Sequence, residues 1–171
     1  MWWRSPLAAA ALIGAALALA GCGFQPLYGG TTAGGSRLSE VMAAVDVTPI
    51  PGRVGQRLRN ELIFENTGGG NAAPSRYRLD IVVKESVSDQ NVRLSGDATG
   101  ATFQLNATFK LVNRADGKVM LEGAATSRAA YERFQQIYSN VRARYDAENR
   151  AARTVAESIK VRLAAFLSQA A

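Results

Sequence analysis

Two hydrophobic periodicities divide this chain. From Ala101 to Asn113 apolar and polar residues alternate almost without fault. Phe103, Leu105, Ala107, Phe109 and Leu111 fall on one side, and Thr102, Gln104, Asn106, Thr108 and Lys110 on the other. A period of two over this length predicts a half-buried antiparallel strand. Arg76 to Lys84 behaves the same way, with Tyr77, Leu79, Ile81 and Val83 opposite Arg76, Arg78, Asp80, Val82 and Lys84. Val92 and Leu94 extend that pairing, and 95–100 turns the chain back. Asn113 to Lys118 carries hairpin-turn chemistry, with Gly117 placed for positive φ, and Lys118 to Arg128 supplies a fourth strand. Val41 to Pro49 reads as the first strand, ended by Pro49 and Pro51.

Elsewhere the period is helical. Val54, Leu58 and Leu62 recur every four residues between Gly52 and Asn66, and Gly68-Gly69-Gly70 stops that helix. From Ile137 to Ser168 there is neither Gly nor Pro. Ala152, Val155, Ala156, Ile159, Leu163 and Phe166 form one stripe on this second, long helix. The order is β-α-β-β-β-α. The fold class is α+β: a two-layer sandwich in which two helices lie on one face of a four-stranded, mostly antiparallel sheet. The other face then stays uncovered. It carries Thr102, Gln104, Asn106 and Thr108, bordered by Arg76, Arg78 and Lys84, and reads either as a solvated sheet face or as a polar contact surface facing a protein or a wet cavity.

The N-terminal pattern is neither strand nor core helix. After Arg4, an uncharged apolar run of 14 residues from Leu7 to Ala20 leads into Gly21 and Cys22. A charged start, an apolar middle and small residues at the end form a secretory signal. The run falls short of the roughly 20 residues needed to span a bilayer. Leu19-Ala20-Gly21-Cys22 reads as a lipobox, with cleavage between Gly21 and Cys22 and lipid on the thiol. Residues 1–21 are therefore expected to be removed as a signal peptide. Residues 22–40, rich in Gly, Ser and Thr, form the lipidated N-terminus and a flexible linker. Residues 41–171 form one domain.

Composition narrows the chemistry. Cys22 is the only cysteine, and there is no histidine. Without Arg4, 19 basic residues face 14 acidic ones, a net charge of +5, and 15 of the 19 are arginine. Ser-His-Asp and Cys-His centres are excluded, as are the usual zinc and copper ligand sets. Carboxylate-only catalysis stays formally open, but the acidic residues are scattered. The reading is a non-enzymatic protein without cofactor or metal. Export disfavours nucleic acid as a partner. The arginine excess suits anionic head groups, phosphorylated glycans or acidic protein surfaces, or serves solubility alone.

Cys22-Gly23-Phe24-Gln25-Pro26-Leu27-Tyr28-Gly29 resembles the start of the LptE family of lipopolysaccharide-assembly lipoproteins, particularly its alphaproteobacterial members. The helix segments 146–153 and 156–163, the Asp116-Gly117-Lys118-Val119 hairpin and the element order are similar to that family as well. The resemblance implies an outer-membrane lipoprotein on the periplasmic side, with diacylglycerol and fatty acyl groups on Cys22. It implies a plug in the lumen of the β-barrel translocon LptD that assists barrel assembly and binds lipopolysaccharide. Gly23 after the acylated cysteine fits outer-membrane sorting. The family's lipopolysaccharide contacts are basic residues on a strand and its loops. Here Arg93, Lys110, Arg114 and Lys118 are the candidates, clustered by hairpin geometry, with Arg76 and Arg78 next. The alternative is a lipoprotein subunit of another envelope assembly, such as the barrel-insertion machinery.

Acyl chains contribute about 0.8 kcal/mol per buried methylene, and stable anchoring takes more than one chain. Cys22→Ser is therefore expected to yield an uncleaved or soluble protein on membrane fractionation. Retention of that variant in membranes at mature size contradicts the lipoprotein reading.

Overall fold

The structure, a computed structural model, describes residues 32, 35–70, 73–92, 98–133 and 135–170. The signal, the lipobox and most of the linker lie outside the described residues. Seven elements follow: α1 (Leu38–Ala43), β1 (Val45–Val47), α2 (Arg53–Thr67), β2 (Tyr77–Val92), β3 (Ala98–Asn113), β4 (Val119–Glu132) and α3 (Ile137–Ala170). The strands form one sheet in the order β1-β2-β3-β4. β1 runs parallel to β2, and the other pairs are antiparallel. The α+β sandwich expected from the periodicities is the observed fold, with one added helix.

That helix corrects the N-terminal strand. The run expected to be extended over 41–49 begins as α1, and β1 keeps only Val45-Asp46-Val47. Leu38, Val41 and Met42 lie at three- and four-residue spacing and are all buried. Val41-Met42-Ala43-Ala44-Val45 is a continuous apolar run that neither period resolves. Two strands are longer than their alternation suggests. β2 continues past Lys84 to Val92, although every residue from Lys84 to Gln90 is exposed. β4 runs on to Glu132, because Ala129 and Ala130 keep the inside–outside alternation.

β3 carries the core. Phe103, Leu105, Ala107, Phe109 and Leu111 are essentially inaccessible to solvent. Each large apolar side chain buried this way stabilises the fold by about 1.5–3 kcal/mol relative to exposure. Val54, Leu58 and Leu62 of α2 cover them from above, with Ala147, Ala151, Ala152, Val155, Ala156, Ile159 and Leu163 of α3. The many alanines keep the side of α3 that meets the sheet slim. Arg53 meets Asn149 at 3.3 Å and Lys160 meets Glu65 at 2.5 Å, so α2 and α3 run in the same direction. Gly68, with φ 61°, ends α2 in the left-handed conformation that favours glycine. Among the described residues no helix is long and apolar enough to cross a membrane.

Gly123 of β4 lies directly opposite Phe109. A β-carbon there would come within 2.6 Å of the Phe109 ring, which is locked in the core. Gly123→Val is expected to lower the unfolding free energy by about 1–3 kcal/mol through overpacking. A urea unfolding midpoint equal to wild type would show that the ring yields.

Candidate functional site

With both helices on one side, the outer sheet face is built entirely from strand residues, and register decides who meets whom. Lys84, Asn106 and Thr126 form one row across β2, β3 and β4. Ser86, Gln104 and Arg128 form the next. Arg128 Nε donates to Gln104 Oε1 at 3.0 Å, and Gln104 Nε2 donates to Asn106 Oδ1 at 3.2 Å. Thr126 Oγ1 donates to the same Asn106 oxygen at 2.9 Å. The amides and hydroxyls are thus held in a fixed grid. Arg128 and Lys84 stand at its sides, and neither pairs with a carboxylate among the described residues.

Five of the basic residues singled out from the sequence, Arg76, Arg78, Lys110, Arg114 and Lys118, occupy one end of the same sheet. Arg114 sits in the β3–β4 turn, bonded to Ser75 Oγ at 2.9 Å and to Asp46 Oδ2 at 2.8 Å. Lys110 pairs with Glu122 at 2.8 Å across the strands, and Arg78 with Asp80 at 3.0 Å. Lys118 stands 3.7 Å from Asp116 in a turn shaped by Gly117, whose φ is 69°. Arg76 is exposed and has no carboxylate partner among the described residues. The structure therefore brings Arg76, Arg78, Lys110, Arg114 and Lys118 together, but four of these five cations each have an acid beside them. Exposed pairs of this kind contribute about 0–1 kcal/mol and are open to competition from an anion.

Arg93 lies outside the described residues. The strand ends that bracket it, Val92 and Ala98, are at the far end of the sheet from the 114–118 turn. The 16 residues of β3 separate the two ends by about 50 Å at some 3.3 Å per residue. The expected grouping of Arg93 with the turn residues therefore involves a position outside the described residues. The pairing of Arg128 with Gln104 could be read only from strand register. Lys84 was visible in the sequence as part of the border, but its lack of an acidic neighbour was not.

A second cluster sits on the helix side. Glu148, only 3% exposed, receives Arg144 Nε at 2.8 Å and the Arg53 guanidinium. Arg53 also lies 4.3 Å from the centroid of the Tyr145 ring, a cation–π contact. These groups line a cleft of about 390 Å³ with Val54, Val141 and Glu85. Two arginines, one from each helix, share this one buried carboxylate, so the cluster ties α2 to α3. Among the described residues no three of His, Cys, Asp and Glu are grouped to hold a metal ion.

The model of a protein family described as lipopolysaccharide-assembly, LptE, matches residues 42–163. The chain belongs to the LptE family. This match spans every strand, α2 and most of α3, so both the polar face and the Glu148 cluster lie within the LptE unit. A chain from Caulobacter crescentus CB15, described as a lipoprotein, shares the fold at a TM-score of 0.63 and 23% identity, covering 77% of this chain and 95% of that one. A minor lipoprotein from Acinetobacter baumannii matches at a TM-score of 0.50 and 15% identity, covering 71% and 91%. No curated protein matches the chain. This LptE chain is thus a lipopolysaccharide-assembly lipoprotein of the cell envelope.

Glu148→Ala leaves Arg53 and Arg144 facing each other without their shared acceptor. The unfolding free energy is expected to fall by about 1–3 kcal/mol, read as a lower urea midpoint. An unchanged midpoint would mean that the clamp contributes nothing to holding α2 on α3.

Proposed function

We propose that this chain is held at the periplasmic side of the outer membrane by lipid on Cys22, after cleavage between Gly21 and Cys22. It fills the lumen of the β-barrel LptD, assists assembly of that barrel, and binds lipopolysaccharide on its way to the outer leaflet. The protein does no chemistry on this cargo and uses no cofactor.

The observation that carries this reading is the outer sheet face, with its Gln104–Asn106–Thr126 grid and two cations that have no carboxylate partner among the described residues. Sugar hydroxyls and phosphates match that surface: amides and hydroxyls exchange hydrogen bonds with the former, and Lys and Arg form charge-assisted bonds with the latter. A polar face also suits a barrel lumen, which is wet and polar. Lys110, Arg114, Lys118, Arg76 and Arg78 widen the basic surface toward the turn end, and Arg93 is proposed as a further contact. Their weights differ by a simple electrostatic argument. A phosphate at Lys84 or at Arg128 meets a cation with no carboxylate partner among the described residues, whereas a phosphate at Lys110 or Arg78 must displace Glu122 or Asp80.

Replacing Lys84 and Arg128 together by alanine is expected to weaken lipopolysaccharide binding by about tenfold, some 1.4 kcal/mol, in titrations of the purified mature chain. The triple alanine variant at Lys110, Arg114 and Lys118 is expected to lose less. Unchanged affinity in both variants removes this face from consideration as the lipopolysaccharide site.

A further inference from the structure

The two long edges of the sheet, that of β4 and that of β2 beyond the short β1, are treated differently. On β4 two arginines of α3 occupy backbone carbonyls: Arg150 bonds the Ala130 oxygen at 2.9 Å, and Arg162 bonds that of Ala124. On the side of β2 away from β3, the described residues supply a strand neighbour for only three residues, Tyr77 to Leu79. Pro49 and Pro51 then turn the chain away toward α2.

The direction of the backbone groups beyond that point is determined. Tyr77 N donates to the Ala44 oxygen at 3.2 Å, and the Leu79 oxygen accepts from Thr48 N at 3.1 Å, both toward β1. The Arg76 oxygen points the other way and accepts from Arg114 N at 3.0 Å. Pairing with β3 continues one-to-one from Tyr77 to Gln90 without a bulge. N–H and C=O groups of a strand alternate sides, so those of Val83, Glu85, Val87 and Asp89 face outward. Among the described residues none of them has a backbone partner on that side. The residues from Lys84 to Gln90 are all exposed, Val87 at 40%.

We infer that this edge of β2, from Val83 to Asp89, is a docking line for an extended segment of a partner protein, which joins the sheet as a further strand. A row of evenly spaced peptide donors and acceptors recognises another peptide backbone. The cleft described above, in which Val54, Val141 and Tyr145 stand beside Glu85 and the Arg53–Glu148–Arg144 cluster, lies on the helix side of the same edge. Alternate side chains of a docked segment point to that side, toward Val54, Val141 and Tyr145; Arg53 and Arg144 there are taken up by Glu148, while the Glu85 carboxylate has no cation partner among the described residues. The segment that fits has apolar residues at alternate positions and a basic residue facing Glu85. Lys84, Glu85 and Asp89 are charges of the kind that discourage pairing of this edge with a second copy.

The inference rests on the proposed barrel partner. The wall strands of a closed barrel already pair with one another, so the docked segment comes from a loop or a terminus of that partner.

The test uses the full lipidated chain purified from outer membranes in mild detergent, with LptD detected by antibody. Val87→Pro removes an outward N–H and leaves the inward bonds to β3 in place, a substitution that outer strands accept. Val87→Ala removes the side chain and keeps the N–H. Val87→Pro is expected to lower co-purified LptD at least tenfold with an unchanged circular dichroism spectrum, while Val87→Ala lowers it less than threefold. Equal recovery of LptD by wild type and Val87→Pro overturns the inference and leaves the proposed function standing. Wild type that recovers no LptD overturns both. If Val87→Pro fails to fold, amide exchange on the wild-type complex decides. Protection of the Val83, Glu85 and Val87 amides by LptD supports the docked strand, and unchanged fast exchange overturns it. Dimerisation of the isolated chain that Val87→Pro abolishes assigns the edge to a second copy and also overturns it.

Discussion

The alternation along β3 is the constraint from which the other features follow. As a strand paired on both sides, it has no freedom to slip by one residue without turning Phe103, Leu105 and Phe109 out to water and Thr102, Gln104 and Asn106 into the core. That single register sets the apolar face that α2 and α3 cover, and it sets the polar face on the reverse. It also lines up Lys84, Asn106 and Thr126, and beside them Ser86, Gln104 and Arg128. The core and the proposed binding surface are two sides of the same pleat, so a change that moves one moves the other.

Charge is distributed over this frame unevenly. Asp46, Asp80 and Glu122 hold Arg114, Arg78 and Lys110 at the turn end. Near the middle of the face the cations have amides and hydroxyls for company instead. The chain's excess of arginine is therefore partly spent on internal work: Arg53 and Arg144 on buried Glu148, and Arg150 and Arg162 on carbonyls of β4. An anion approaching the sheet meets a field shaped by the unpaired few rather than by the net charge.

Much of the fold was legible in the sequence. The strands around 77–84 and 101–113 and the long C-terminal helix have a single unambiguous period, and each is found where that period places it. The short apolar run at 41–45 has no period, and there only packing against α2 and α3 selects helix for Leu38–Ala43. The outer half of β2 was partly legible. Past Lys84 both faces of that strand are wet, so alternation gives way to Ser, Asp and Gln while pairing with β3 persists. The basic candidates on the turn were recognisable as cations. Their neutralisation was not, because Arg114 and Asp46 are 68 residues apart.

The sequence by itself determined the periodicities, the absence of histidine and of a second cysteine, the lipobox pattern at Cys22 and the start that resembles LptE lipoproteins. These are properties of residue type and spacing along the chain, and folding does not alter them. Only the tertiary structure decided which cations lack a carboxylate beside them among the described residues, which edge of the sheet is guarded, and that Arg114 meets Asp46 across the sheet end. Those outcomes depend on strand register and on the approach of residues far apart in the chain, which local spacing does not encode.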